Sequence, residues 1–333
     1  MSPKTAVKWA KGVLAGLGLL IFLYLVHRIG PAVLAVNLKR FGPWFLAILA
    51  LACCWIFIQA LAWWLIQKAY FQRLPLGILY RIRIISDGFN LILPSANLGG
   101  DAMRVFMIKG DVPLRDGIPS VLFDKTIEFI GSLVFLFGGI LLGLATLRLP
   151  ATLVVPVSIS LCVTAVVVVV FVVIQKRGLT YSLTKLGRLL PKLRGWAEKH
   201  GTQLEAMDRN FRLLYTRSNK RAIPPLLLHV LARLVGASEL MIIMAVLKSP
   251  VNYVQALFIS TVLTAGNTAF FVLPGQWGVT EGLSILVLQS LGFPAAIGLS
   301  VSVIRRVRRL IMAGLALILF AAEKKKPPRK EGS

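Results

Sequence analysis

Two apolar stretches of this chain carry charges where an apolar stretch has no ordinary use for them. One holds Asp124, Lys125 and Glu128; the other holds Arg305, Arg306, Arg308 and Arg309. An ionisable group inside a membrane span costs roughly 2.5 to 3.5 kcal/mol on insertion scales, so it is kept for pairing or for function. Asp124 and Glu128 stand four apart and share one helical face. The expected pairing sets Asp124 and Glu128 against Arg305 or Arg309. Arg233 is expected to pair with Glu239, on a third apolar stretch that also carries His229. That pairing leaves arginine in excess. Guanidinium grips phosphate in a bidentate fork and keeps its charge when desolvated. Arg305, Arg306 and Arg309, with Arg104 and Lys125, therefore read as a binding site for an anionic headgroup.

Two glycine-rich turns add to this set. Asn90, Pro94, Gly99 and Gly100 mark the first, and Pro274, Gly275 and Gly278 mark the second. Such turns place backbone amides at broken helix ends, where an anion can be held. Asp101 and Glu281 follow where each helix restarts. They suit N-terminal capping, or pairing with arginine to hold a hairpin, or proton uptake for coupling. No Ser, His and Asp spacing and no metal-ligand spacing stands out, so the expectation is no catalytic residue, no metal and no cofactor. Cys53, Cys54 and Cys162 lie inside apolar runs and read as small buried hydrophobes.

The elements that must position these residues are membrane helices. Hydrophobic residues make up 57% of the 333 positions and charged residues 15%, a balance that soluble domains rarely reach. Runs long enough to cross a hydrocarbon core of about 30 Å recur at Val13–Val26, Trp44–Gln67, Ile118–Leu147, Ala151–Ile174, Pro224–Leu247 and Pro294–Ala321. Two further apolar segments, Ile84–Ile108 and Val254–Leu291, are broken by the glycine-rich turns and read as re-entrant hairpins. The expected fold is an all-α membrane protein with about six full spans plus two hairpins. It forms one membrane domain over 1–322, with a basic loop at 175–223 and a basic, disordered tail at 323–333. The formal net charge of +25 would suggest nucleic acid for a soluble protein. In a membrane chain the positive-inside rule accounts for it, and no nucleic-acid partner is expected. With the N-terminus cytoplasmic, twenty-seven Lys and Arg fall in inner segments and five in outer loops. Both termini are therefore placed in the cytoplasm, at a bacterial inner membrane.

The two broken segments also resemble one another. Asp101 follows Pro94 by seven residues, and Glu281 follows Pro274 by seven. Pro113 matches Pro294, and Asp124-Lys125 matches Arg305-Arg306, all at an offset of 180 or 181. Repeat one spans about 1–150 and repeat two about 151–322. The charge-derived orientation runs them in opposite senses, an inverted repeat with discontinuous helices of the kind transporters use.

At these residues the chain resembles the lysylphosphatidylglycerol synthase transmembrane-region family of flippase-like membrane proteins. The resemblance rests on Asn90 to Arg104, on Phe123-Asp124-Lys125, and on Leu273 to Gly282 with the arginines from Arg305 onward. It departs at Lys125, where the family pattern has arginine, and at Ser95-Ala96, which replaces a more glycine-rich turn. The resemblance implies movement of a lipid between leaflets, with aminoacyl-phospholipids, hopanoids and polyprenyl-linked lipids as the candidate classes. Bifunctional members add an acyltransferase-like domain, which this sequence is not expected to carry, so an enzyme is not the favoured reading. The alternative is a membrane-embedded enzyme or accessory subunit of lipid biosynthesis, including the lysyltransferase activity of the family name, with Asp101, Asp124 or Glu281 as base. A third reading is a scaffold that recruits a lipid-biosynthesis enzyme to the cytoplasmic face through the basic loop. Membrane lipids are the expected partners.

Overall fold

The computed structural model describes residues 41–70, 74–92, 99–147, 219–269 and 279–323, with single positions between 32 and 39 and between 155 and 209. The expected span Val13–Val26, most of Ala151–Ile174, the turn residues Pro94, Pro274, Gly275 and Gly278, most of the basic loop and the tail after Glu323 lie outside the described residues.

Among the described residues every regular element is helical: α1 (Pro43–Tyr70), α2 (Leu76–Ile92), α3 (Gly99–Ile108), α4 (Leu114–Thr146), α5 (Ile223–Val246, led by a 3-10 turn at Asn219–Ala222), α6 (Tyr253–Ala269), α7 (Val279–Ser290) and α8 (Ala295–Glu323). Three are long and apolar enough to cross a membrane: α1, α4 and α5 with its leading turn. α8 has 29 residues and rises about 43 Å, but its four arginines keep it below that standard. α3 and α7, at 10 and 12 residues, rise only about 15 and 18 Å, well short of a hydrocarbon core of about 30 Å.

The helices pack in a list that exchange of the halves maps onto itself. α1 lies along α5. α2 lies along α8 and α6 along α4; α3 meets α4 as α7 meets α8; α2 and α3 fold together as α6 and α7 do. Small residues permit the closest crossings, as expected where lipid supplies no hydrophobic drive and van der Waals packing must serve. A Cβ at Gly139 of α4 would lie 3.0 Å from Cβ of Thr261, and one at Gly143 would lie 2.9 Å from Cγ of Phe258, both on α6. On the opposite crossing, a Cβ at Gly88 of α2 would lie 3.2 Å from Cα of Ala313 on α8. The largest buried cluster joins Ile48 of α1, Leu240 and Met244 of α5, Phe258 and Ile259 of α6, Leu288 of α7 and Ile304 of α8. Large side chains such as Leu46, Phe137, Leu141 and Ile318 face outward. The cysteines differ from expectation: Cys53 is half-buried, packed against Ala52, Ile56 and their cluster, and Cys54 and Cys162 are exposed.

α5 and α7 end alike. Ser249 N–H donates to Met244 O at 2.9 Å and Lys248 N–H to Ala245 O at 3.0 Å; Phe293 N–H donates to Leu288 O at 2.9 Å and Gly292 N–H to Gln289 O at 3.0 Å. This double bond pattern needs a left-handed residue after the helix. Gly292 takes it at φ 88°, while Lys248 takes it at φ 58° without glycine's freedom. Lys248→Gly is therefore expected to raise stability by about 1 kcal/mol, read as a higher melting temperature of the purified protein in detergent. A lower one would show that the Lys248 side chain earns its place through contacts.

Candidate functional site

The charged side chains gather into two clusters on either side of a cavity. The first is built on Asp124, which is fully buried in α4. Its Oδ2 accepts from Arg83 Nη1 of α2 at 2.9 Å and from Arg104 Nη1 of α3, and its Oδ1 meets His229 Nε2 of α5 at 3.0 Å. Arg83 also donates to Glu128 at 2.8 Å and to Gln59 of α1 at 3.3 Å. Arg104 donates to Asp101, one turn earlier on α3, and lies 5.1 Å over the Trp63 ring. Lys125 bridges Asp101 at 3.6 Å and Glu128 at 3.5 Å. Arg233 reaches Glu128 at 4.0 Å and donates to Ser132 at 2.9 Å. Three carboxylates thus answer four permanent cations, and the cluster ties α2, α3, α4 and α5 together.

The second cluster is built on α8. Arg306 pairs with Glu281 at the start of α7. Glu239 of α5 lies 3.4 Å from Arg305 and 2.8 Å from Arg308. The Arg308 contact is out of line for a hydrogen bond, so Oε1 of the buried Glu239 accepts none. Arg308 also lies 4.6 Å over the Trp55 ring, a cation–π contact. Arg309 has neither an ion-pair nor a hydrogen-bond partner among the described residues.

Between the clusters lies a cavity of about 230 Å³. Its basic wall is Arg233 of α5 with Arg305, Arg308 and Arg309 of α8. Facing them are Ser260, Thr264 and Asn267 of α6 and Thr280 and Ser284 of α7. Trp55 and Gln59 of α1 close one side, and Glu239 is the one carboxylate in the lining among the described residues.

The sequence-derived pairing is corrected in two respects. Asp124 and Glu128 pair with Arg83, Arg104, Lys125, His229 and Arg233, not with Arg305 or Arg309, because α4 packs against α5 and α3 while α8 lies along α2 and α7. Glu239 pairs with Arg305 and Arg308 rather than with Arg233, which points toward α4. Of the five residues expected to hold a headgroup, Arg305 and Arg309 line the cavity; Arg104, Lys125 and Arg306 stand outside its lining, in ion pairs. Asp101 and Glu281 each sit in the first turn of a restarting helix and each pair with a cation on the following one, Lys125 and Arg306. Gly99 and Gly100 are buried, and the Gly100 N–H donates to Asn90 Oδ1 at 2.8 Å.

Sequence reading passed over Arg83, which it counted among loop charges because the broken segment was started at Ile84. It also missed Gln59, and the polar face of α6, although Ser260, Thr264 and Asn267 recur at i, i+4 and i+7 in a mostly apolar run.

The description "Lysylphosphatidylglycerol synthase TM region" matches residues 9–316. The chain belongs to this family. It is accordingly an integral membrane protein related to lipid metabolism or transport, and membrane lipids are its partners. No curated protein and no solved structure matches the chain. Within the family frame, the match covers both charge clusters and every residue of the cavity lining.

Proposed function

We propose that the chain moves a lipid with an anionic headgroup between the leaflets of a bacterial inner membrane. The headgroup enters the cavity between α5 and α8 while the acyl or prenyl tails stay in the bilayer. The observation that carries this reading is Arg309, a guanidinium on the cavity wall with no ion pair and no hydrogen bond among the described residues. Four arginines share the lining with one carboxylate, and a phosphate oxygen satisfies guanidinium better than any other group a lipid offers. Asp101, Asp124 and Glu281, the bases that a membrane-embedded enzyme would need, are held in ion pairs and do not line the cavity. That favours transport over catalysis.

Two supports come from the fold. The packing list that survives exchange of α1–α4 with α5–α8 fits an inverted repeat, the arrangement that lets one site face each leaflet in turn. The paired brackets Asp101–Lys125 and Glu281–Arg306 occupy matched places in the two halves. In this reading α2–α3 and α6–α7 are the re-entrant hairpins, both termini face the cytoplasm, and the basic inner loop is the docking place for a lipid-biosynthesis enzyme.

The test is transport of fluorescent phosphatidylglycerol in liposomes, followed by its accessibility from outside. Arg305→Ala with Arg309→Ala is expected to cut the rate about tenfold or more, since one charge-assisted hydrogen bond is worth roughly 1.5 to 3 kcal/mol. Undiminished transport by the folded double variant would remove the cavity from the mechanism.

A further inference from the structure

The cavity is not lined for a bare anion. Opposite its arginines stand hydrogen-bond acceptors that a phosphate cannot use. Glu239 is 3% exposed, and its Oε1 has no hydrogen-bond donor. The Ser284 hydroxyl, 1% exposed, gives its proton to Thr280 O at 2.8 Å and so presents only lone pairs to the cavity. The Ser260 hydroxyl, 7% exposed, accepts from Arg305 at 3.4 Å, a long contact, and can both give and take a hydrogen bond with a hydroxyl in the cavity. A buried acceptor that stays unmet is costly, and an anion brought near Glu239 is repelled unless it also offers O–H or N–H donors.

The donors must be hydroxyls rather than ammonium. Four arginines share this lining with one carboxylate, and two of them already flank that carboxylate, so a second cation would enter against a positive field. A cavity of about 230 Å³ lies below the roughly 300 to 1,000 Å³ of pockets that hold a drug-sized ligand, and so suits one compact polar group. We infer that the cavity selects a phosphodiester carrying a hydroxylated group no larger than a glycerol or a single sugar ring, its phosphate on Arg309 and its hydroxyls on Glu239, Ser260 and Ser284. This rests on the headgroup reading above and narrows it. It also turns the site away from aminoacylated lipids.

The experiment compares short-chain lipids with identical tails binding to the full chain in detergent, by calorimetry or native mass spectrometry. Phosphatidylmethanol has the same diester and charge as phosphatidylglycerol but lacks the hydroxyls; lysyl-phosphatidylglycerol adds cations. Phosphatidylglycerol is expected to bind about tenfold more tightly than either, a discrimination of the size that unmet buried partners give. Ser260→Ala with Ser284→Ala should bring its affinity to that of phosphatidylmethanol. Arg309→Ala should weaken both. Equal affinity for phosphatidylglycerol and phosphatidylmethanol in the wild type, with Arg309→Ala weakening both, would overturn the hydroxyl selection and spare the headgroup site. Tightest binding of lysyl-phosphatidylglycerol would also overturn it. An Arg309→Ala variant that binds both neutral-tailed diesters as the wild type does would overturn this inference and the headgroup reading together.

Discussion

Asp124→Asn is expected to lower the stability of the folded protein by roughly 3 kcal/mol or more. Asp124 is fully buried and answers three groups, Arg83, Arg104 and His229, from three other helices. Removing one partner of a buried ion pair typically costs about 3 to 5 kcal/mol, because the charge left behind is neither solvated nor neutralised. Arg83 keeps Glu128 and Arg104 keeps Asp101, which sets the loss nearer the lower figure. The measurement is thermal unfolding in detergent. Adding Arg104→Met to Asp124→Asn should recover part of the loss, since it removes a buried cation that has lost one of its two carboxylates, while Asp101 keeps Lys125. A melting temperature unmoved by Asp124→Asn would mean that water reaches this cluster freely, and additive losses in the double variant would mean that the two residues are not coupled.

Gly100→Ala is the second large effect, and it acts through shape alone. A Cβ at Gly100 would overlap the Ser86 carbonyl oxygen and lie 2.6 Å from Nδ2 of Asn90, both on α2. A backbone carbonyl cannot step aside as a side chain can, so α2 and α3 must part. Overpacking of this kind costs about 1 to 3 kcal/mol. The separation also shifts Asp101 and Arg104, which reach α4 from the same short helix, so liposome transport is expected to fall about tenfold. Gly77→Ala is the control: it sits in α2 with no atom within 4 Å of the added carbon, and alanine should stabilise its helix slightly. If the two substitutions behave alike, the close approach of α2 and α3 is not what holds the first cluster in place.

The long helices α1, α4, α5 and α8 were readable in the sequence because each of their apolar runs is bounded by charge, proline or glycine. The run read as Trp44–Gln67 became Pro43–Tyr70, and that read as Pro224–Leu247 became Ile223–Val246. Which charges would be needed was also readable, since a carboxylate in such a run has to find a cation. Which cation it finds was not. Asp124 and Arg305 sit at matched places in the sequence, 181 residues apart, and matched places need not touch: exchange of α1–α4 with α5–α8 sends α4 to α8 and leaves each beside other neighbours. Pairing is decided by helix packing, and packing here depends on small residues such as Gly88 and Gly139, whose message is a distance rather than a charge. Arg83 was lost for a different reason. Its side chain is buried against Asp124 and Glu128, but its neighbours Arg81 and Tyr80 made it look like part of a basic loop.

The four arginines of α8 also bear on how the chain is made. Released alone from the ribosome into the lateral gate of an insertion channel, α8 would carry a penalty of roughly 10 to 14 kcal/mol if each arginine cost 2.5 to 3.5 kcal/mol. The carboxylates that pair with three of the four, Glu239 and Glu281, lie upstream on α5 and α7 and are synthesised first. α8 therefore finds counter-charges already waiting, and its entry into lipid is an act of assembly with its own earlier helices. Replacing Glu239 and Glu281 together would leave that helix stranded at the channel, where quality control by membrane proteases acts before any question of transport arises.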